Sequence, residues 1–462
     1  MEDRLMVSVS GVRGTIGGTL TPQVACNFGL AFARMLQATS QTDVRPVVAV
    51  GRDTRRSGAM VFSAVASGLM AGGVDVIDLG VVTTPGAALA TRKLGAQGGI
   101  VITASHNPIE YNGIKFLQPT GIGLSAVLAQ ELKTIWQESK FDLQDVASVG
   151  TLKGESRVHE WHLDAVCGII DHARISTNRF KVVVDSINGA GCTVTAMLLK
   201  RLGCELVHIN SEPTGQFAHR PEPIEENLSQ LCDAVREHGA DLGFAQDPDA
   251  DRLVVVDENG KFIGEEYTLA LATAFVLSQR KGKIATNLAT SRMVDDIASE
   301  AGQTVVRTPT GEANVAGAMA EHGCIFGGEG NGGVIDPRVA PVRDSLVGMA
   351  LILQYLAQSG EKLSALASKI RSYVMIKTKF PCPAGIAPVV ADEVQREFAN
   401  KPGASFNTDD GLRIDLNDAW VSVRASNTEP IMRIMGEAPR REVVEDLVAQ
   451  VRRIAERVIA AQ

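Results

Sequence analysis

The sequence predicts an α/β protein in which three successive units share one topology and the last unit is an antiparallel α+β domain. Three observations carry this prediction. Apolar strands alternate with helical segments through most of the chain, a Glu-His-Gly tripeptide recurs at 237–239 and 321–323, and the alternation stops after about Arg371. We therefore expect mixed sheets covered by helices in the first three units.

Each of the first three units contains a strand, a polar loop, a helix, a glycine and a second strand. The first unit has an additional helix before its first strand; Pro22 begins this helix and Thr21 can cap its N-terminus. Glycine just past each intervening helix suits a left-handed C-terminal cap. The strand pairs are predicted at 46–50 and 74–79, 180–184 and 204–209, and 284–287 and 303–307.

The second half of each unit is a helix, a glycine, a strand, a polar loop and a strand. These strands are predicted at 98–103 and 113–117, 241–246 and 253–257, and 324–327 and 333–336. The last unit is predicted to hold strands at 373–379, 411–416, 420–424 and 430–436, with helices at 389–400 and from 440. The predicted domains are 1–150, 151–257, 258–370 and 371–462. Since α/β proteins bind ligands at strand ends, the polar loops are where we expect chemistry.

Composition narrows the class of protein. The chain of 462 residues has a formal net charge of −8 and 5% aromatic residues, so we expect no nucleic-acid partner. An anionic substrate would need a locally basic cleft. The sequence shows no signal peptide and no apolar run long enough to cross a bilayer, and its seven cysteines form no Cys-x-x-Cys pair. We therefore expect a cytoplasmic protein with reduced thiols and no membrane partner.

Two polar loops carry residues suited to phosphoryl transfer. The segment 103–108 follows an apolar strand and presents Ser105 as a nucleophile or phosphate carrier, although its Asn-Pro also favours a plain turn. The segment 247–252 crowds three aspartates, whose repulsion a divalent cation would relieve, and oxygen ligands suit Mg²⁺. A calcium loop and a solvated acidic turn are the alternatives, but Arg252 stands where a calcium hand needs glycine.

Two further loops suit a sugar phosphate. The glycine-rich segment 327–333 carries Glu329 and Asn331, which can exchange hydrogen bonds with sugar hydroxyls; a flexible turn is the alternative. The segment 424–430 joins two strands, and its small polar residues, flanked by arginines, can bind phosphate; a hairpin turn is the alternative.

Isolated basic residues are weaker signals. Arg13 stands between glycines, and the segment 51–55 is typical of a turn or a surface ion pair. Lys115 lies between apolar residues on a strand, where lysine usually points to solvent. If it faces a cleft instead, desolvation would lower its pKa and suit it to proton transfer.

Taken together, the loops resemble the motifs of the α-D-phosphohexomutase family, in the order in which that family carries them. The matching motifs are TASHNP at 103–108, NGIKF at 112–116, DPDADR at 247–252, GEGNGG at 328–333 and RASNTEP at 424–430. The five motifs occur in the family's order and are distributed along most of the chain. This agreement favours the functional interpretation of each loop over its plain-turn alternative.

The resemblance implies four domains around a central cleft and a role for each motif. Ser105 would be the phosphoserine, and Asp247, Asp249 and Asp251 would bind Mg²⁺ together with its phosphate. Lys115 takes the place of an acid–base residue, Arg13 that of a cleft arginine, and Arg252 falls beside the metal. Sugar contacts fall on Glu329 and Asn331, and contacts to the distal phosphate fall on Arg424, Ser426, Asn427, Thr428 and Arg433.

The implied activity is a phosphohexomutase that interconverts hexose or hexosamine 6-phosphate and 1-phosphate through a bound sugar bisphosphate, which is both activator and intermediate. Many members of the family that act on mannose, glucose or glucosamine phosphates carry a histidine where this chain has Gly333. The form of this loop favours phosphoglucosamine mutase, with phosphoglucomutase/phosphomannomutase, a non-catalytic sugar-phosphate binding protein and a phosphatase as alternatives. The expected partner is a small sugar phosphate, and the expected state is a monomer or homodimer.

Overall fold

The computed structural model describes residues 4–39, 44–383, 385–425 and 431–461, whose strands form four sheets. The first three sheets are mixed and the fourth is antiparallel. The predicted fold class is therefore confirmed.

The first sheet has the strand order β1-β2-β6-β5-β3-β4-β7. Its strands are β1 (Met6–Ser8), β2 (Gly11–Thr15), β3 (Val47–Arg52), β4 (Asp75–Val81), β5 (Gly98–Ile102), β6 (Tyr111–Leu117) and β7 (Leu152–Gly154). Its helices are α1 (Pro22–Thr39), α2 (Gly58–Ala71), α3 (Thr84–Lys93) and α4 (Ala126–Glu138). On β3, Val48 shares a core with Phe28 of α1, whereas Ala49 shares a core with Ala88 of α3. Alternate residues thus face helices on opposite sides of the sheet.

The second and third sheets have four strands each. The second contains β8 (Lys181–Asp185), β9 (Glu205–Ile209), β10 (Leu242–Gln246) and β11 (Leu253–Val256). Its region includes α5 (Val158–Cys167), α6 (His172–Asn178), α7 (Gly191–Arg201) and α8 (Ser229–His238). The third contains β12 (Ile284–Asn287), β13 (Val305–Thr308), β14 (Phe326–Glu329) and β15 (Gly333–Ile335). Its region includes α9 (Glu266–Gln279), α10 (Met293–Glu300), α11 (Glu312–His322), α12 (Ser345–Ser359) and α13 (Leu363–Ser368).

One four-strand arrangement is common to the first three sheets. The orders β4-β3-β5-β6, β9-β8-β10-β11 and β13-β12-β14-β15 have the same pattern of two parallel pairs and one antiparallel pair. The repeat predicted from the sequence is therefore real, and its loops occupy equivalent places. Gly239 and Gly323, which end the two Glu-His-Gly tripeptides, are left-handed caps with φ of 57° and 62°.

The fourth sheet is antiparallel, with the order β16-β20-β19-β18-β17. Its strands are β16 (Val374–Pro381), β17 (Ser405–Asn407), β18 (Leu412–Asp415), β19 (Trp420–Ala425) and β20 (Ile431–Ala438). Helices α14 (Ala387–Phe398) and α15 (Arg441–Ala460) cover one face. Val421 and Val423 point to these helices, so Ser422 and Arg424 point to the opposite face.

Four strands, β1, β2, β7 and β17, were not predicted, because each has only three to five residues and too few apolar side chains to stand out. Strand β7 pairs with β4, so the first sheet extends to Gly154. The domain limits at 150, 257 and 370 stay predictions. Among the described residues, no helix combines the length and apolarity that a membrane span requires.

The glycine caps generate a prediction about stability. Gly323→Ala should lower the free energy of unfolding by about 1 kcal/mol, because alanine at a φ of 62° is strained while nothing lies within 4 Å of its Cβ. Gly317→Ala, inside the same helix and equally unobstructed, is the matched control and should be stabilising. Calorimetric melting temperatures of the two variants should shift in opposite directions; a shift in the same direction would contradict the cap assignment.

Candidate active site

The structure brings Ser105 and the acidic loop into direct contact. The Ser105 hydroxyl donates a hydrogen bond to Asp247 Oδ2 at 2.8 Å, although the two residues are 142 positions apart. Ser105 follows β5 and Asp247 follows β10, so equivalent strand ends of the first and second sheets face each other. Thr84 joins the same contact, because its Oγ1 donates to Asp249 Oδ2 at 2.6 Å.

Arg55 holds the Ser105 loop in an unusual backbone conformation. Ser105 has a φ of 48°, a left-handed value that costs a non-glycine residue about 1 kcal/mol or more. The Arg55 guanidinium is buried, pairs with Asp53 at 3.2 Å, and donates to four carbonyl oxygens around the loop. These oxygens belong to Ser105, Asn107, Pro108 and Tyr111. The expectation of a surface turn at 51–55 is wrong for Arg55, since a second segment buries it.

The three aspartates form a buried cluster that can hold a metal ion. One carboxylate oxygen from each of Asp247, Asp249 and Asp251 lies within 4.8 Å of the others, and all three side chains are fully buried. Asp249 Oδ1 and Asp251 Oδ1 have no hydrogen-bond partner within the described part of the chain. Buried carboxylate oxygens without partners are costly, so a cation bound here would stabilise the cluster.

Electrostatics separate the members of the cluster. Burial and the other two aspartates raise the pKa of Asp247 well above its usual range. Burial also disfavours the charged form of Asp249, but Lys115, 2.6 Å away, together with hydrogen bonds to Thr84 and Asp247, outweighs burial and holds the pKa of Asp249 below its usual range. Burial alone would lower the pKa of Lys115, as its sequence context suggested, but Asp249 and Asp251 raise it. Lys115 therefore faces the cleft as a charged partner of the cluster.

The predicted arginines lie around the Ser105 loop. Arg13, on β2, donates to Asn107 Oδ1 at 2.9 Å, and Arg252 is 3.9 Å from Glu222. His106 Nδ1 is 3.3 Å from Ser105 Oγ. Burial, followed by the charges of Arg252 and Arg13, lowers the pKa of His106 to about 2, so this imidazole is neutral at physiological pH.

The glycine-rich loop places its acidic and amide groups beside a cavity. Glu329 Oε1 accepts from Asn287 Nδ2 at 2.7 Å and from the Gly311 N–H at 3.2 Å. Asn331 Oδ1 is buried and finds no hydrogen-bond partner among residues that the structure describes. An alanine at position 330 would require the Glu266 carboxylate to move, because a Cβ there would fall 1.9 Å from Glu266 Oε2.

The open face of the fourth sheet carries a row of cations. Lys379, Arg433 and Arg424 are direct neighbours across β16, β20 and β19. Like charges directly opposite in a sheet destabilise it. Asp410 offsets one of them, since Arg424 Nη1 donates to its Oδ2 at 2.7 Å. The row could therefore bind an anion; Ser426, Asn427 and Thr428, predicted to contribute to such a site, lie outside the described residues.

A cavity of about 550 Å³ lies beside these groups, and residues of all four sheet regions line it. Its volume is typical of small-molecule sites. Five of the predicted site residues are among those that line it, namely Arg252, Glu329, Asn331, Arg424 and Arg433. Ser105 lies behind its neighbour His106, which also lines the cavity. The cavity therefore has the buried acidic cluster near one side and the cation row on another.

Comparisons with known proteins settle the family. Models of the phosphoglucomutase/phosphomannomutase α/β/α domains I, II and III match residues 4–143, 160–260 and 264–373, and the C-terminal domain model matches residues 375–454. The chain belongs to the phosphoglucomutase/phosphomannomutase family. The predicted class of enzyme, a phosphohexomutase, is confirmed by this membership and by the relatives described next.

Relatives of this family match the chain over nearly its full length. A phosphoglucomutase/phosphomannomutase of Thermococcus kodakarensis is 42% identical over 94% of both chains. A probable phosphoglucosamine mutase of Methanopyrus kandleri is 38% identical over 97% of this chain and 98% of that one. A solved structure of a phosphoglucomutase/phosphomannomutase family protein from Burkholderia thailandensis is 29% identical, with a TM-score of 0.86 and 98% coverage of both chains.

Several residues of this phosphohexomutase site were missed by sequence reasoning. Arg343 and Glu312 lie outside every motif, and Thr84 looks like an ordinary helix start. Lys377 and Arg413 line the cavity from β16 and β18. Only Lys377 and Arg413 could have been identified from the sequence, because charged residues alternate with apolar ones along β16 and β18.

The Arg55 contacts generate a prediction for the Ser105 loop. Arg55→Lys should destabilise the protein by about 3 kcal/mol, because a lysine cannot reach four carbonyl oxygens and Asp53 would be left poorly paired in the interior. Limited proteolysis within 105–111 and the melting temperature would report the change. Arg52→Lys is the control, since the Arg52–Asp78 pair is partly exposed and is worth at most about 1 kcal/mol. Equal effects of the two substitutions would contradict this role of Arg55.

Proposed function

We propose that this phosphohexomutase uses a phosphorylated Ser105 to interconvert hexose or hexosamine 1-phosphate and 6-phosphate through a bound sugar bisphosphate. The contact that carries the proposal is the hydrogen bond from Ser105 Oγ to Asp247 Oδ2 at 2.8 Å, inside a cluster with two unpartnered carboxylate oxygens. A phosphate on Ser105 would be repelled by these carboxylates unless a cation lay between them.

Magnesium fits this cluster. Asp247, Asp249 and Asp251 would hold the ion together with an oxygen of the Ser105 phosphate, and all of these ligands are the hard oxygens that Mg²⁺ prefers. When bound, Mg²⁺ would neutralise negative charge on the oxygens of the transferring phosphoryl group. A calcium loop is disfavoured, because Glu258, its would-be twelfth residue, is hydrogen-bonded to Ser364 Oγ at 2.5 Å.

The proposed reaction conserves all atoms of the substrate. A sugar hydroxyl attacks the phosphorus on Ser105, the bond between phosphorus and Ser105 Oγ breaks, and the hydroxyl proton leaves to a base. The bisphosphate then turns around and its other phosphoryl group returns to Ser105 Oγ, while the proton returns to the sugar oxygen. Water takes no part, so no inorganic phosphate is released.

Basic residues would divide the remaining work. Lys115 lies beside Asp249 in the cluster, and we assign it the proton exchange with the sugar hydroxyl, because a cation on Asp249 and Asp251 would offset the charges that raise the pKa of Lys115. Arg13 and Arg252 would stabilise the negative charge of the phosphoryl group during its transfer. Arg424 and Arg433, with the loop that follows Arg424, would bind the phosphate that is not being transferred, because the row of like charges to which they belong favours an anion.

The sugar is proposed from the acidic side of the cavity. Glu265, Glu266 and Glu329 line it. Lys377 pairs with Glu265 and Arg343 pairs with Glu329, whereas burial raises the pKa of Glu266 to about 8. An ammonium group at carbon 2 of a glucosamine phosphate would therefore stabilise the charged form of Glu266. Glucose and mannose phosphates carry no such charge. Phosphoglucosamine mutase is therefore the proposed activity, and phosphoglucomutase/phosphomannomutase is the second candidate, because the relative that is 42% identical bears that name.

Replacing the serine tests the proposal directly. Ser105→Ala should lower bisphosphate-primed turnover of glucosamine, glucose and mannose 1-phosphates at least a hundredfold, because the group that carries the phosphoryl is gone. Melting temperature and calorimetric binding of the sugar phosphate control for the fold. Undiminished turnover would remove Ser105 from the reaction. Release of inorganic phosphate at the rate of isomerisation would instead indicate a phosphatase, and binding without turnover in the wild type would indicate a binding protein.

Changing the cluster tests the metal site. Asp249→Asn should weaken Mg²⁺ binding at least tenfold by calorimetry and lower turnover, because Asp249 Oδ1 is one of the two unpartnered oxygens. Asp257→Asn is the matched control, since Asp257 is a buried carboxylate of the same region that accepts the Asn259 and Lys261 N–H groups instead. An unchanged magnesium titration in Asp249→Asn would show that the cluster is not the site.

A further inference from the structure

Arg343 connects parts of the site that are far apart in sequence. Its Nη2 donates to Asp251 Oδ2 at 2.7 Å, and its Nη1 donates to Glu329 Oε2 at 2.7 Å. A third carboxylate, that of Glu312 at the start of α11, accepts from its Nε at 3.0 Å. One guanidinium thus bridges the acidic loop after β10, the glycine-rich loop after β14 and a helix start.

Gly333 makes room for this bridge. A Cβ on Gly333 would fall 2.1 Å from Arg343 Cδ, so the arginine side chain passes directly over the glycine. The backbone of Gly333 is outside the left-handed region, so space and not conformation requires glycine there. Arg343 therefore occupies the volume that any side chain at position 333 would take.

Arg343 binds only one oxygen of the Asp251 carboxylate and one oxygen of the Glu329 carboxylate. Arg343 binds Asp251 through Oδ2 and leaves Oδ1 without a partner among the described residues. On Glu329, Arg343 binds Oε2 while Asn287 and Gly311 bind Oε1. A planar fork with several N–H groups can hold both carboxylates at once, whereas a lysine ammonium is a point charge.

We propose that Arg343 is a positioning residue that ties the acidic loop to the sugar loop. It fixes the Glu329 carboxylate beside the cavity where the sugar would bind, and it occupies Oδ2 of Asp251 with its positive charge. This inference rests on the proposed function for the role of Glu329, but its link to Asp251 stands without any sugar. Arg343 also adds a positive charge beside the cation site, which opposes binding of a second cation.

Two readouts separate positioning from a merely structural role. Arg343→Lys keeps the charge but loses the fork, so KM for the sugar phosphate should rise about tenfold while the Mg²⁺ dissociation constant stays within about threefold. Gly333→Ala should act in the same direction, because the added methyl group displaces Arg343 while its charge is retained. Arg343→Met removes the opposing charge, so Mg²⁺ should bind about tenfold more tightly although KM again rises.

The experiment measures Mg²⁺ binding by calorimetry without sugar, and KM and kcat with glucosamine, glucose and mannose 1-phosphates, all on the full chain. Arg338→Met is the matched control, because Arg338 pairs with Asp336 after the same strand and contacts neither Asp251 nor Glu329. It should leave both constants unchanged.

An unchanged KM in both Arg343→Lys and Gly333→Ala would overturn the proposal. Weaker or unchanged Mg²⁺ binding in Arg343→Met would overturn it as well. If wild-type protein turns over none of the sugars, the proposed function fails, and the Mg²⁺ titrations still decide whether Arg343 acts on Asp251.

Discussion

The contact between Ser105 and Asp247 is the constraint on which the rest of the site depends. It requires two sheets to meet at equivalent strand ends, so that a hydroxyl after β5 reaches a carboxylate after β10 at 2.8 Å. It also gathers three buried aspartates whose repulsion has to be relieved. The packing of the first two sheet regions thus places the Ser105 hydroxyl at a cluster that can hold a cation.

The cationic side chains of the site form two groups, one at the Ser105–Asp247 contact and one across the cavity from it. Lys115 and Arg343 contact the acidic cluster and stabilise its ionised members. Arg424 and Arg433 lie on the fourth sheet across the cavity, where opposed like charges favour an anion. The proposed bisphosphate intermediate would match this arrangement, because one phosphate would lie at the cluster and the other at the cation row.

Much of the fold could be predicted from sequence because it repeats. The three units carry the same succession of strand, loop and helix, and the loops after β5, β10 and β14 were located from apolar runs and punctuating glycines. The loop residues Ser105, Asp247 and Glu329 stand out because they follow such runs.

What sequence could not give was contact between distant segments. Arg343 has no motif, and its importance arises only because Gly333 leaves space for it beside Asp251 and Glu329. Arg55 looked like a surface residue because nothing local shows that the Ser105 loop covers it. The raised pKa of Lys115 likewise depends on aspartates more than a hundred positions away, which outweigh burial.

The central claim, that the Ser105 phosphate and the aspartate cluster share one cation, is tested most directly by phosphorus NMR of the phosphorylated protein. With one equivalent of Mn²⁺ bound, the account predicts that the phosphoserine resonance broadens beyond detection. A resonance that stays sharp with Mn²⁺ bound would contradict it.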